Sequence, residues 1–375
     1  MKIYAFHLLN DYSGSPKVLK QLVNIWIKNN KQVTIVTSGG RKGFLSDIKG
    51  ANYSFFWYKL APNPLIRLFN LMLSQLLLLL KLLFVVKKED IIYVNTVLPF
   101  GAAVLGKIKG CRVIYHIHET SMKPAIFKRF LFAIVKWTAS ELVFVSHYLK
   151  KDLQLDTVKS RVIYNAIEDD FLEIANRRNQ PKELNKNVLM ICSLKEYKGV
   201  FEFVRLAQHL SDCNFRLVVN AAQQEIDNFF LNTVLPRNLE IYPTHADTHP
   251  FYRWANVILN LSKPQGWIET FGLTIIEGMA YGLPAIVPTV GGITELVSEG
   301  ENGFKVNSND LNDLCAKLKR LLEDQSLYSK MRTQALIQIT KFNEQNFSEA
   351  SMSLLAEEKV KVLKSEKIPV FGIKI

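Results

Sequence analysis

Glu269 and Glu277 stand eight residues apart in Trp267-Ile268-Glu269-Thr270-Phe271-Gly272-Leu273-Thr274-Ile275-Ile276-Glu277-Gly278-Met279-Ala280. An apolar run, Val257 to Leu261, precedes them and reads as a strand. A helix is predicted over 272–281, so Phe271-Gly272-Leu273 opens it. In open parallel sheets ligands bind beyond the carboxyl ends of the strands. The free amide hydrogens and dipole of a helix start favour a diphosphate there, and Gly272 lets the backbone come close. If the intervening residues are helical, eight of them rise roughly 12 Å at 1.5 Å each. That matches the reach from a sugar, across a diphosphate, to a ribose. Carboxylates accept hydroxyl donors well and are poor neighbours for phosphate. The order acid, helix start, acid therefore suits a nucleotide sugar held end to end.

The elements needed to position such a site follow from patterning. The 375 residues are 48% hydrophobic and 22% charged, which excludes a mostly disordered chain, a collagen-like fibre and a small disulfide scaffold. Cys111, Cys192, Cys213 and Cys315 form no C-x-x-C pair, against a zinc ribbon or thioredoxin-type site and in keeping with a reducing cytoplasm. Met1 to Leu9, broken early by Asn10-Asp11, is too short for a secretory apolar region and reads as a first strand. Apolar strands at 32–37, 90–95, 112–118, 141–146 and 162–165 alternate with helical stretches. After a polar linker between Asn176 and Asn187 the rhythm restarts, with strands at 187–192, 215–220, 238–242, 256–261 and 284–288. Helices fall at 199–210, 223–232, 272–281, 309–323 and 326–340. Continuously apolar strands separated by helices indicate parallel sheets covered on both faces.

The segment around Glu269 and Glu277 resembles the E-x7-E element of retaining glycosyltransferases of the GT-B fold, family 4. The likeness extends through Gly282-Leu283-Pro284 and Gly291-Gly292-Ile293-Thr294-Glu295-Leu296-Val297. Leu9 to Ser15 sits where that family has its first glycine loop. Val162-Ile163-Tyr164-Asn165-Ala166-Ile167 resembles its interdomain V-I-P-N-G segment, with Tyr164 and Ala166 replacing proline and glycine. The resemblance implies an α/β protein of GT-B architecture, two doubly wound Rossmann-like domains facing a central cleft. The expected divisions are 1–172 for the acceptor, 173–345 for the nucleotide sugar, and 346–375 as a helix or tail packing back on the first domain.

By the same resemblance Glu269 and His118 meet the donor sugar and form the catalytic pair, and Glu277 takes the ribose. Gly14, Phe271, Gly272 and Leu273 approach the donor, while Ser13 and Glu119 lie on the acceptor side. His116, two residues deeper in its strand, reads as a packed histidine. The family's G-R-x-x-x-x-K-G pattern for the diphosphate appears here as Cys192-Ser193-Leu194-Lys195-Glu196-Tyr197-Lys198-Gly199. Lys198 is kept, Ser193 stands in the arginine's place, and Lys195 is a candidate to supply the missing charge. No metal and no further cofactor are implied: the chain holds no D-x-D motif, and basic residues do the neutralising.

Charge narrows the acceptor. The net charge is +13, and all of it lies in residues 1–170, with 24 Lys and Arg against 11 Asp and Glu. Leu65 to Val86 is apolar enough in length to span a bilayer, but Arg67, Asn70, Ser74, Gln75 and Lys81 interrupt it, so it reads as a domain helix. Lys123 to Trp137 mixes cations with Phe and Trp at helical spacing, as an interfacial helix on anionic lipid does. A polyprenyl diphosphate-linked acceptor on the cytoplasmic leaflet follows as an expectation, with a role in capsule, O-antigen or exopolysaccharide synthesis. The competing readings are a nucleotide-sugar epimerase of the same fold and a catalytically weak sugar-nucleotide binding protein. Nucleic acid is disfavoured because the cations interleave with aliphatic rather than exposed aromatic residues.

Overall fold

The computed structural model describes residues 1–177 and 183–356. The middle of the expected linker (178–182) and the end of the expected tail (357–375) lie outside the described residues. A first sheet contains β1 (Ile3–Phe6), β2 (Val33–Ser38), β3 (Asn52–Phe56), β4 (Ile91–Asn95), β5 (Arg112–Ile117), β6 (Glu141–Phe144) and β7 (Ser160–Val162). A second contains β8 (Asn187–Cys192), β9 (Asn214–Val219), β10 (Leu239–Tyr242), β11 (Val257–Leu259), β12 (Ala285–Val287) and β13 (Gly303–Lys305). The helices are α1 (Gly14–Lys28), α2 (Pro64–Leu82), α3 (Phe100–Lys109), α4 (Ala125–Thr138), α5 (His147–Leu153), α6 (Asp169–Asn176) and α7 (Val200–His209). They continue with α8 (Gln223–Phe229), α9 (His249–Trp254), α10 (Leu273–Ala280), α11 (Leu311–Glu323), α12 (Gln325–Ile339) and α13 (Glu344–Leu355).

Both sheets are parallel, in the orders β3-β2-β1-β4-β5-β6-β7 and β10-β9-β8-β11-β12-β13. Each reverses direction once, at β1/β4 and at β8/β11, and a crevice opens at such a reversal. The architecture is the two-domain GT-B arrangement. Buried central strands such as β1 and β4 are apolar because helices cover both faces. The strands that patterning missed are edges or short: β3 is only partly buried and β13 has three residues. The last strand of the first sheet ends at Val162 rather than running over 162–165. Beyond Ile163 the chain leaves the sheet, and Tyr164 turns into an aromatic cluster with Phe271 and Phe342.

That cluster joins the two halves. Glu295, in the short turn Gly292–Glu295, caps the start of α5 by accepting from the Tyr148 and His147 backbone N–H groups at 2.6 and 3.1 Å. It also accepts from the Tyr164 hydroxyl at 2.7 Å. A Cβ on Gly292 would lie 2.0 Å from the Thr270 carbonyl oxygen, so only glycine permits this approach. Helix α6 straddles the expected boundary at 172. Helix α13 returns to the first domain, burying Phe347, Leu354 and Leu355 in the cluster that contains Val18, Leu22 and Trp26 of α1.

Candidate active site

The residues singled out from the sequence fall in the segments that leave the carboxyl ends of strands at or next to the two reversals, and Asn95 joins them there. From β1 come Ser13 and Gly14, from β4 Asn95, and from β5 His118 and Glu119. From β8 come Ser193, Lys195 and Lys198, and from β11 the segment Glu269 to Leu273 that opens α10. The two crevices face each other. A Cβ on Gly14 would meet Leu273 Cδ1 at 3.2 Å, so the starts of α1 and α10 abut. Thr270 Oγ1 donates to the His118 carbonyl at 2.6 Å, and the Ile268 N–H donates to Ser121 Oγ at 2.9 Å. At Gly272 φ is +120°, a region closed to side chains with a Cβ. That glycine turns the chain into α10.

The two glutamates are each held by one lysine. Glu269 Oε1 receives Lys198 Nζ at 2.5 Å and Ser262 Oγ at 2.6 Å, with Asn260 Nδ2 at 3.3 Å. Burial alone would raise this carboxyl; the Lys198 ammonium and the two neutral donors more than reverse that and hold it below its usual value. Lys198 also lies 5.1 Å from the centre of the Trp267 ring, which stacks on Tyr197. Glu277 is buried. Its Oε1 takes Lys17 Nζ from α1 at 2.6 Å, and its Oε2 takes the Tyr252 hydroxyl at 2.5 Å.

On the opposite wall His118 Nε2 lies 2.8 Å from Asn95 Oδ1. Asn95 Nδ2 donates to the Ser15 carbonyl, which orients the amide and makes His118 Nε2 the donor. Nδ1 is then left as an acceptor. Burial, with His116 and His7 beside it, drives the His118 imidazole well below its usual value, so it is neutral near pH 7. His116 is fully buried, bonded to the Tyr93 hydroxyl, and pushed down to about 3 by burial.

Lys195, Ser193, Glu119 and Ser13 lie outside the two glutamate–lysine pairs. Lys195 is exposed, and its side chain makes no hydrogen bond or ion pair among the described residues. It starts the tight turn Glu196–Lys198, which aims Lys198 inward and leaves Lys195 outside. Ser193 contributes its carbonyl to that turn, accepting from the Lys195 N–H at 2.8 Å. Glu119 reaches His118 through the main chain and not the imidazole: its carboxylate accepts from the Val97 and His118 N–H groups at 3.0 and 3.1 Å. It ties the β4 and β5 loops together. Ser13 is exposed at the mouth, donating to Asp11 Oδ1 at 2.5 Å.

Burial pushes the Glu119 carboxyl up to about 7, outweighing the backbone hydrogen bonds that favour its charged form. Between the ordinary value of 4.5 and about 7 the folded protein therefore holds more protons than the unfolded chain. The stability this group contributes is present below that window and lost as pH rises through it. Urea unfolding of the wild type and Glu119→Gln, compared from about pH 5 to about pH 8, is expected to move against the wild type as pH rises. A pH-independent difference would contradict the assignment.

Lys17, Asn95, Tyr252 and Ser262 escaped the sequence reading, and Glu295 enters it only as part of the likeness, with no role of its own. Lys17 lies one helical turn after Gly14, the nearest thing to a signal. Tyr252 sits on the six-residue α9, too short to show periodicity.

With the geometry in view, the comparisons with known proteins are decisive on class. The model for Glycosyltransferase Family 4 matches residues 12–171, and that for Glycosyl transferases group 1 matches residues 173–338. The chain belongs to the GT-B glycosyltransferases. An uncharacterized glycosyltransferase of Methanocaldococcus jannaschii is 27% identical over 55% of this chain and 56% of that relative. An uncharacterized glycosyltransferase of Haemophilus influenzae is 22% identical over 88% of this chain and 93% of its own length. Anabaena HepE, solved in complex with UDP-glucose, superposes with a TM-score of 0.76 at 19% identity, covering 95% of this glycosyltransferase and 99% of HepE. At that identity the likeness speaks for the fold.

Proposed function

We propose that this glycosyltransferase moves a sugar from a nucleoside diphosphate sugar to an acceptor hydroxyl with retention of anomeric configuration, and that the acceptor is lipid-linked. The observation that carries the reading is the placement of Glu269 and Glu277 on either side of the α10 start, across from Gly14 and His118. In this reading Glu269 and His118 grip sugar hydroxyls and Glu277 takes the ribose. The amides at the α10 start, with Lys198, receive the charge that develops as the C1–O bond to the diphosphate breaks. The acceptor oxygen bonds to C1 from the face the diphosphate leaves, and its proton passes to the departing phosphate.

The acceptor side rests on α2, which buries Leu71, Leu78 and Leu82 together with three polar residues and leaves a largely apolar outer face. Asn70, Ser74 and Gln75 point inward: Asn70 donates to the Lys59 carbonyl, and Gln75 accepts from the Gly101 N–H. Leu65, Phe69, Met72, Leu76 and Leu80 point outward, and Phe84 just beyond is 90% exposed. A contiguous apolar face of this kind marks a contact surface. Between residues 48 and 140 the chain has 13 Lys and Arg and only Glu89, Asp90 and Glu119 as acids. A symmetric dimer would place these cations against each other, whereas an anionic lipid surface complements them. Helix α4 adds Ile126 and Trp137, both more than half exposed. The resulting location is peripheral, on the inner face of a membrane, in surface-polysaccharide assembly.

Incubation with a panel of nucleotide sugars and polyprenyl diphosphate-linked saccharides, with NMR of the product anomer, tests the reading. A retained anomer on the lipid-linked saccharide supports it. Inversion, conversion of the donor sugar without an acceptor, or binding without turnover each defeats it.

A further inference from the structure

We propose that Lys17 supplies, from the first domain, a cation that the neutral Ser193 cannot: it pairs with Glu277 in the free protein and with the donor's diphosphate in the complex. The inference rests on the nucleotide-sugar reading above and adds a residue to it. Each glutamate that is to accept sugar or ribose hydroxyls is already occupied by a lysine, Glu269 by Lys198 and Glu277 by Lys17. A donor whose sugar and ribose hydroxyls bind these carboxylates competes with both ammonium groups, and it brings two phosphates with it. The exchange leaves no charge stranded.

The surroundings of Lys17 favour that exchange. Its ammonium lies 5.9 Å from the Phe44 ring centre and 5.7 Å from that of Phe171. It occupies a narrow crevice with Ala166, Glu168 and Leu273. An ammonium in such a place is costly to leave without an anion. Ribose hydroxyls on Glu277 take its present partner away. Lys17 stands one turn inside α1, whose first residue abuts the first residue of α10, so the diphosphate at the α10 start lies on its side of the cleft. Ser193 is neutral and Lys195 points outward, so the second domain offers Lys198 alone from that motif. Lys17 therefore acts as a positioning residue for the donor, and because it crosses the cleft it couples donor binding to the seating of the two domains.

Calorimetric titration of UDP, GDP and ADP, and of uridine, guanosine and adenosine, tests this on the full chain, using whichever base the wild type binds. Lys17→Met is expected to weaken the diphosphate at least tenfold while the nucleoside binds equally or more tightly, since ribose no longer competes with Lys17 for Glu277. Lys17→Arg is expected to stay within about threefold of wild type for both. Should Lys17→Met misfold, Lys17→Gln, which keeps a hydrogen-bond donor to Glu277, carries the same expectation. Unchanged diphosphate affinity, as when Lys17 merely swings to Glu168, overturns the proposal. An equal loss for nucleoside and diphosphate also overturns it, because that is what a purely structural lysine produces. A wild type that binds none of the three diphosphates sinks the nucleotide-sugar reading itself, a result separable from any behaviour of the variants.

Discussion

Glu269→Gln is expected to lower kcat by about 100- to 1000-fold with the fold intact. The magnitude is that of removing one preorganised group from a transition-state site. The substitution is isosteric, and the amide oxygen still accepts from Ser262 Oγ and Asn260 Nδ2. What disappears is the negative charge, on which two things depend. Sugar hydroxyls donate more strongly to a carboxylate than to an amide, and Lys198 is held in place by it. Steady-state transfer assays with circular dichroism as a folding control measure the effect. A variant with near wild-type kcat would remove Glu269 from the reacting centre.

The second large effect concerns the membrane. Leu76→Glu combined with Leu80→Glu is expected to reduce binding to vesicles containing anionic lipid by about 100-fold. These residues lie one turn apart on the outer stripe of α2, 54% and 52% exposed. Each half-buried leucine that enters lipid contributes about 1.5 kcal/mol, and the pair therefore about 3 kcal/mol, a factor near 100. Neither side chain supports the core, so the melting temperature and transfer to a water-soluble acceptor should persist while transfer to a lipid-linked one falls. Co-sedimentation with vesicles of phosphatidylglycerol and phosphatidylcholine reads the binding directly. Unaltered sedimentation would show that α2 is not the docking face.

The double substitution also bears on how α2 is seated against the first domain. Arg67, Asn70, Ser74, Gln75 and Lys81 break the apolar run of α2, and polar residues ordinarily mark the wet side of a helix. Here Asn70 and Gln75 pair with main-chain groups of neighbouring segments, and a close crossing at Gly101, where a Cβ would lie 2.5 Å from the Gln75 carbonyl oxygen, seats them inward beside Leu71, Leu78 and Leu82, while Arg67 and Lys81 stay outside with the exposed leucines. Periodicity defines two faces of a helix; which of them meets the core depends on what the neighbours offer.

The strands beside both reversals, the helix that begins at Leu273 and the acid on either side of its start were all legible in residue order. Each is a local property: an apolar run of strand length, a glycine that must adopt positive φ, two carboxylates at fixed spacing. The pairing of Lys17 with Glu277 joins residues 260 apart, and Glu295 reaches the α5 start from 148 positions away. Such contacts exist only because the second sheet is set against the first, and no short-range pattern encodes that placement. Residue order thus supplied the site's parts and their chemistry. The three-dimensional arrangement determined which charges neutralise one another across the cleft, that Lys198 rather than Lys195 faces Glu269, and which side of α2 meets solvent, because each depends on surfaces that come together only after both sheets have formed.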